Sequence, residues 1–189
     1  MRRKRMASCL TGMVALVVAV PAIGSAQEAN ENNRGGFWLS GGLGVGHHEE
    51  TGASAYIRMG GTLGERLVLG GESFALAHEE GEANVSRGNV TAAVLFYPSA
   101  RKGLFLKAGV GFASIEYEVS RITTRGQPVV ITTRDELALG TTFGVGYDIQ
   151  LGGGNLYLTP NFDALVQYPN DGISDPEASL LLTVGIGFR

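Results

Sequence analysis

Two short clusters carry donors for a metal ion. His47 and His48 precede Glu49 and Glu50, and His78 precedes Glu79 and Glu80. Imidazole and carboxylate are groups that Zn2+ takes. Adjacent residues of an extended chain point to opposite sides, so His47 and His48 are poorly spaced for one ion, and a solvated polar loop fits both clusters better. Asp171, Asp175 and Glu177 offer oxygens of the kind Ca2+ prefers, but their spacing is not that of an EF-hand loop, and a solvated acidic loop is again the better reading. Gly152-Gly153-Gly154 lacks the Lys-Ser/Thr of a phosphate loop. The sequons Asn84-Val85-Ser86 and Asn89-Val90-Thr91 are given no functional meaning. No catalytic, cofactor-binding or metal site is expected. The remaining polar group of interest is a set of isolated charges, Arg58, Glu72, Lys107 and Asp163, each well inside a segment that is largely free of charge. Their chemistry would be ion pairing in a buried space.

The elements that carry these charges are strands. In Ala178–Arg189 every second residue is apolar: Leu180, Leu182, Val184, Ile186, Phe188. The intervening residues are Ser179, Leu181, Thr183, Gly185 and Gly187, and a period of two is that of a strand. Similar alternation predicts seven others, over 36–46, 54–63, 67–77, 88–97, 103–117, 136–147 and 155–168, with the last at 179–188. One face of each is apolar, such as Phe37, Leu39, Leu43, Val45 in the first. The other is small or polar, and it is the one that bears Arg58, Glu72, Lys107 and Asp163. A soluble sandwich or ligand-binding barrel shows the same period with the apolar face inward. Charges at mid-strand on the polar face, an apolar face of membrane-spanning length and glycine on the polar face all favour the apolar face outward. Arg58 and Glu72 lie equally far from Glu65, so a hairpin centred there sets them opposite one another, with Lys107 and Asp163 facing from the far wall. Pro160, mid-strand and without an N–H, predicts a bulge or kink.

The first 26 residues read as a cleavable leader. Arg2-Arg3-Lys4-Arg5 is a basic start, Leu10–Ile23 an apolar run, and Gly24-Ser25-Ala26 a small-residue cleavage site before Gln27. The run is short for a transmembrane helix. Cleavage would remove four basic residues and no acidic one, moving net charge from −3 to −7 over 163 residues, and would remove Cys9, the only cysteine. Disulfides and thiol chemistry are then excluded. The acidic balance argues against nucleic acid as a partner. Of the 29 glycines, Gly12 and Gly24 lie in the leader, and the rest make up about one in six of the remaining residues, far above the usual share and unfavourable to helices. Residues 27–35 are polar and expected to be a flexible segment, leaving 36–189 as one domain.

Connections alternate in length. Gly64-Glu65-Arg66, Pro98–Lys102 and Asp148–Gly154 are short; His47–Ala53, His78–Arg87, Glu118–Asp135 and Pro169–Ala178 are long. Transmembrane barrels show this asymmetry, with short periplasmic turns and longer outer loops. Phe37, Phe96, Tyr147 and Phe188 fall at the short-turn ends of outward faces, as half of an aromatic girdle would.

In this pattern the chain resembles the OmpA-type and OmpX-type eight-stranded outer-membrane barrels over Gly36–Arg189. The resemblance implies an all-β, eight-stranded antiparallel up-and-down transmembrane barrel in a bacterial outer membrane, in contact with lipid and lipopolysaccharide. It also implies handling by barrel-assembly machinery through the C-terminal strand, although Arg189 follows the aromatic residue that usually ends that strand. No peptidoglycan-binding domain is expected after the last strand. The expected role is structural or surface interaction, through extracellular loops 118–135 and 169–178, the first extending as a hairpin beyond the membrane. The alternatives are a narrow pore or transport barrel and, remotely, a lipid-modifying enzyme like the outer-membrane palmitoyltransferases. Those carry a loop His with Asp and Ser and an amphipathic helix before the first strand, and neither is found here.

Overall fold

The computed structural model describes residues 36–80, 83–99, 102–122, 128–152, 154–170 and 175–189, and of residues 80, 83, 117–122 and 128–136 the backbone alone. The expected leader (1–26), the segment 27–35 and residues 123–127 and 171–174 of the two expected extracellular loops lie outside the described residues. The strands are β1 (Phe37–His48), β2 (Glu50–Gly64), β3 (Leu67–Glu80), β4 (Ala83–Phe96), β5 (Leu104–Ile122), β6 (Pro128–Tyr147), β7 (Ile149–Gln150), β8 (Leu156–Tyr168) and β9 (Glu177–Phe188). Neighbours in sequence pair antiparallel from β1 to β6, β8 pairs with β9, and β1 pairs with β9. Pairing of β6 with β8 closes the eight long strands into an up-and-down barrel. Closure satisfies every strand edge over the paired length, which a sheet crossing hydrocarbon requires.

The two faces are sorted oppositely to those of a soluble protein. Leu43 is 74% exposed, Phe112 62% and Leu182 57%, while Arg58, Glu72, Lys107 and Asp163 are at most 4% exposed. An apolar exterior around a charged interior is the arrangement of a membrane barrel.

Three expectations are corrected. First, the stretch 47–53 is not a long loop. β1 runs to His48, β2 starts at Glu50, and the chain reverses through Glu49, whose φ of 53° is left-handed. Once a strand leaves the apolar zone its outward residues turn polar, so alternation fades although pairing continues. The stretch 118–135, by contrast, extends as the paired hairpin expected of it, up to Ile122↔Pro128 with a register shift between Glu116 and Glu118. Second, the inward face is not only small and polar. Tyr56, Phe74, Leu165 and Leu181 form one buried cluster, and Trp38, Val68, Ala93, Leu95, Tyr97 and Phe105 another. Glycines make room for them: a Cβ on Gly185 would stand 2.0 Å from the Tyr56 hydroxyl, and one on Gly42 2.5 Å from its ring. Third, Pro160 makes no bulge. Gly146↔Asn161 on β6 and Ile149↔Leu158 on β7 keep one register, and β8 pairs without a shift along β9. The effect is a gap: Tyr147 and Asp148 form no ladder pair with Pro160 and Thr159, which is what separates β6 from β7.

Candidate functional site

The site with the most chemistry is the lumen. Arg58 on β2 stands opposite Glu72 on β3. Lys107 on β5 is in register with Gly144 on β6, which is in register with Asp163 on β8. Gly144 therefore leaves the space across which lysine meets aspartate; a Cβ there would stand 2.0 Å from Asp163 Oδ1. Lys107 Nζ lies 2.9 Å from Glu72 Oε2 and 2.7 Å from Asp163 Oδ1, and 4.4 Å from the centre of the Phe74 ring.

Arg58 is placed differently from a two-pronged partner of Glu72. Its Nε is 4.0 Å from Glu72 Oε2, while an NH2 donates to Asn161 Oδ1 at 3.1 Å. The guanidinium lies 4.3 Å from the Tyr56 ring centre, and Asn161 Nδ2 donates to the Tyr56 hydroxyl at 3.1 Å. The Thr91 hydroxyl donates to Glu72 Oε1 at 3.2 Å. Two cations and two carboxylates thus form a neutral, cross-linked layer from β2, β3, β5 and β8. Lys107 is its centre, because it alone touches both carboxylates at hydrogen-bonding distance. Buried charges persist when opposite charges compensate them, as these ion pairs do.

Towards the hairpin end that includes Glu49, a second polar layer follows. Arg87 donates to Gln167 Oε1 at 3.1 Å and to Glu177, and Gln167 donates to Asn89 at 2.9 Å. His48 Nδ1 contacts the Ala178 carbonyl at 2.9 Å, its Nε2 is 3.6 Å from Glu177, and its ring centre is 6.4 Å from that of His78. His47 points outward, contacting Thr51 at 3.2 Å. Among the described residues no group of three or more His, Cys, Asp or Glu is arranged to hold a metal ion.

At the opposite end, Asp148 accepts from the Tyr97 hydroxyl at 2.8 Å, from the Thr159 hydroxyl at 2.9 Å and from Arg189. Burial alone would lower the Arg189 pKa, but Tyr97, Asp148 and Tyr157 outweigh it and raise the group above its ordinary value. Between this layer and Arg58 lies a cavity of about 10 Å3, bordered by Trp38, Arg58, Tyr97, Phe105 and Asp148, room for about one water. Around the same rim Phe37, Phe96, Tyr147 and Phe188 are each 44–57% exposed.

The sequence pointed to the four central charges, and the structure brings them into one layer. It gave no signal for Tyr56 and Asn161, which hold Arg58, or for Asp148 and Arg189, because those contacts join residues far apart in the chain. An inward polar or aromatic residue beside glycines on the neighbouring strand is the signal that would have flagged Tyr56.

Two known structures share this architecture. Neisserial surface protein A matches with a TM-score of 0.55 at 12% identity, over 81% of this chain and 96% of that one. Ail, the attachment invasion locus protein of Yersinia pestis, in complex with the heparin analogue sucrose octasulfate, matches with a TM-score of 0.54 at 13% identity, over 82% of this chain and all of that one. No protein-family model and no curated protein matches the sequence. At these identities the likeness is one of fold, and that fold is the eight-stranded outer-membrane barrel.

Proposed function

We propose that this chain is a bacterial outer-membrane protein that acts by what it presents at the surface, with a sealed lumen and no catalytic role. The observation that carries this reading is Lys107, held between Glu72 and Asp163 across the middle of the barrel. Eight strands enclose a space that side chains fill, and here the filling is cross-linked by charge from four strands. An ion crossing the lumen would have to break pairs that are costly to separate. The apolar exterior supports residence in lipid, with lipopolysaccharide as its outer-leaflet neighbour and barrel-assembly machinery engaging β9.

The presenting element is the β5–β6 hairpin. β4 stops pairing with β5 at Ala83↔Val119 and β8 stops pairing with β6 at Leu139↔Tyr168, while β5 and β6 continue together to Ile122↔Pro128. From Leu139 back to Pro128, β6 thus rises about 35 Å along the strand at about 3.3 Å per residue, and among the described residues that length has no ladder partner on the β8 side, although Asn170 donates to the Leu137 carbonyl. Such an unpaired edge suits strand addition by an extracellular partner, and the segment 169–178 is the second candidate contact. That Ail, of the same fold, has been seen with a heparin analogue supports a ligand-facing outer end.

Reconstitution into planar bilayers tests the sealed lumen against the transport alternative. The barrel is expected to insert without discrete conductance steps. Reproducible steps from folded protein would replace this reading with that of a narrow pore.

A further inference from the structure

We infer that Arg189 is a latch that locks the seam between β6–β7 and β8 and shuts the short-turn mouth of the barrel. The seam is where Pro160 interrupts the ladder. β6 pairs with β8 as far as Gly146↔Asn161, and pairing resumes only at Ile149↔Leu158. Asp148 donates its N–H to the Gly103 carbonyl at 3.0 Å, on the β5 side. Tyr147 therefore turns its backbone towards β8, where proline has no N–H to give.

Side chains bridge the gap instead. The Asp148 carboxylate accepts from the Thr159 hydroxyl, directly across the seam, at 2.9 Å, and from Tyr97, just beyond β4, at 2.8 Å. Arg189 completes the set. Its backbone N–H donates to the Asn155 carbonyl at 3.0 Å, and its side chain pairs with Asp148 and contacts the Tyr97 hydroxyl. The guanidinium lies between two rings, 5.2 Å from the Tyr97 centre and 4.9 Å from that of Tyr157. One residue after β9 thereby ties together the ends of β4, β6, β8 and β9, and does so beside the small cavity that leads towards Arg58. Without Arg189 the Asp148 side chain, 7% exposed, is an anion left with two hydroxyl donors. The seam is then held by its weakest stretch of backbone. The lumen is thus closed twice: at the Lys107 layer and at this latch.

The test is hydrogen exchange by mass spectrometry on the full chain refolded in detergent micelles, comparing wild type, Arg189→Ala, Pro160→Ala and the double variant. In Arg189→Ala, peptides covering 146–151 and 157–161 should exchange about tenfold to a hundredfold faster, the factor for losing a buried charge-assisted bond, while peptides within 106–113 keep their rate. Trp38, which borders the cavity, should become more accessible to acrylamide. Pro160→Ala returns the missing N–H, so the double variant should exchange at the seam as wild type does. If Arg189→Ala does not refold, Asp148→Asn, which keeps hydrogen-bonding capacity but drops the charge, should show the same local acceleration. Acceleration spread evenly over the barrel, no acceleration at the seam, or a double variant as fast as Arg189→Ala would each overturn the latch.

Discussion

Lys107→Met separates a charged plug from a merely filled lumen. Methionine nearly matches the lysine stem in length and leaves no large cavity, so the change isolates charge. In the native barrel Nζ lies 2.9 Å from Glu72 and 2.7 Å from Asp163, each carboxylate being 1% exposed. Removing it leaves two buried anions facing one cation. That cation, Arg58, is 4.0 Å from Glu72 and already donates to Asn161, so it does not move to Asp163 without giving up a bond. Breaking a buried pair by deleting one partner costs about 3–5 kcal/mol, whereas removing both is often near neutral. Lys107→Met should therefore destabilise the barrel by about 3–5 kcal/mol, and Lys107→Met with Asp163→Asn, which restores a neutral Arg58–Glu72 layer, should recover most of it. The assay is urea titration in micelles, read as the folded fraction that keeps its fast mobility on unboiled gels. A single variant as stable as wild type, or a double variant no better than the single, would refute the charged layer as a structural unit.

Other consequences can be checked alongside. Gly144→Ala should cost about 1–3 kcal/mol by pushing the Asp163 carboxylate away from Lys107, since its Cβ would stand 2.0 Å from Oδ1, while Gly61→Ala, whose nearest neighbour is at 4.0 Å, should be close to silent in the same titration. Leu182→Arg places a cation on the lipid face and should cost about 2–4 kcal/mol in bilayers, whereas arginine at the exposed strand-end residue His47 should cost little. Trp38, the only tryptophan and 5% exposed inside the barrel, should be quenched weakly by brominated acyl chains; strong quenching would place it on the lipid face.

Much of this architecture is legible in the sequence because a membrane barrel enforces a strict period of two. Leu180, Leu182, Val184, Ile186 and Phe188 all face outward, and the symmetric spacing about Glu65 does set Arg58 opposite Glu72. What the pattern could not carry is what happens where lipid no longer sorts the faces. The polar run after Val45 looks like a loop, yet pairing continues to His48↔Glu50 because backbone hydrogen bonds do not depend on side-chain polarity. Inside the barrel, apolar residues such as Phe74 and Leu181 are buried by curvature and by glycines on neighbouring strands, a condition no single strand records. Lys107 and Asp163 meet over Gly144 of the strand between them, and Asp148 meets Arg189 over the end of β8, so their partnership follows from how successive strands line up and not from spacing within any one of them. Pro160 marks its site correctly but acts by withholding one donor without shifting the register.

The most direct test of the central claim is gel mobility of the native protein in fractionated cells, with and without boiling. A closed barrel with an apolar exterior resists detergent at room temperature and unfolds on heating. The protein should therefore sit in the outer-membrane fraction and run faster unboiled than boiled. Recovery in the soluble periplasmic fraction, with the same mobility under both conditions, would contradict the account.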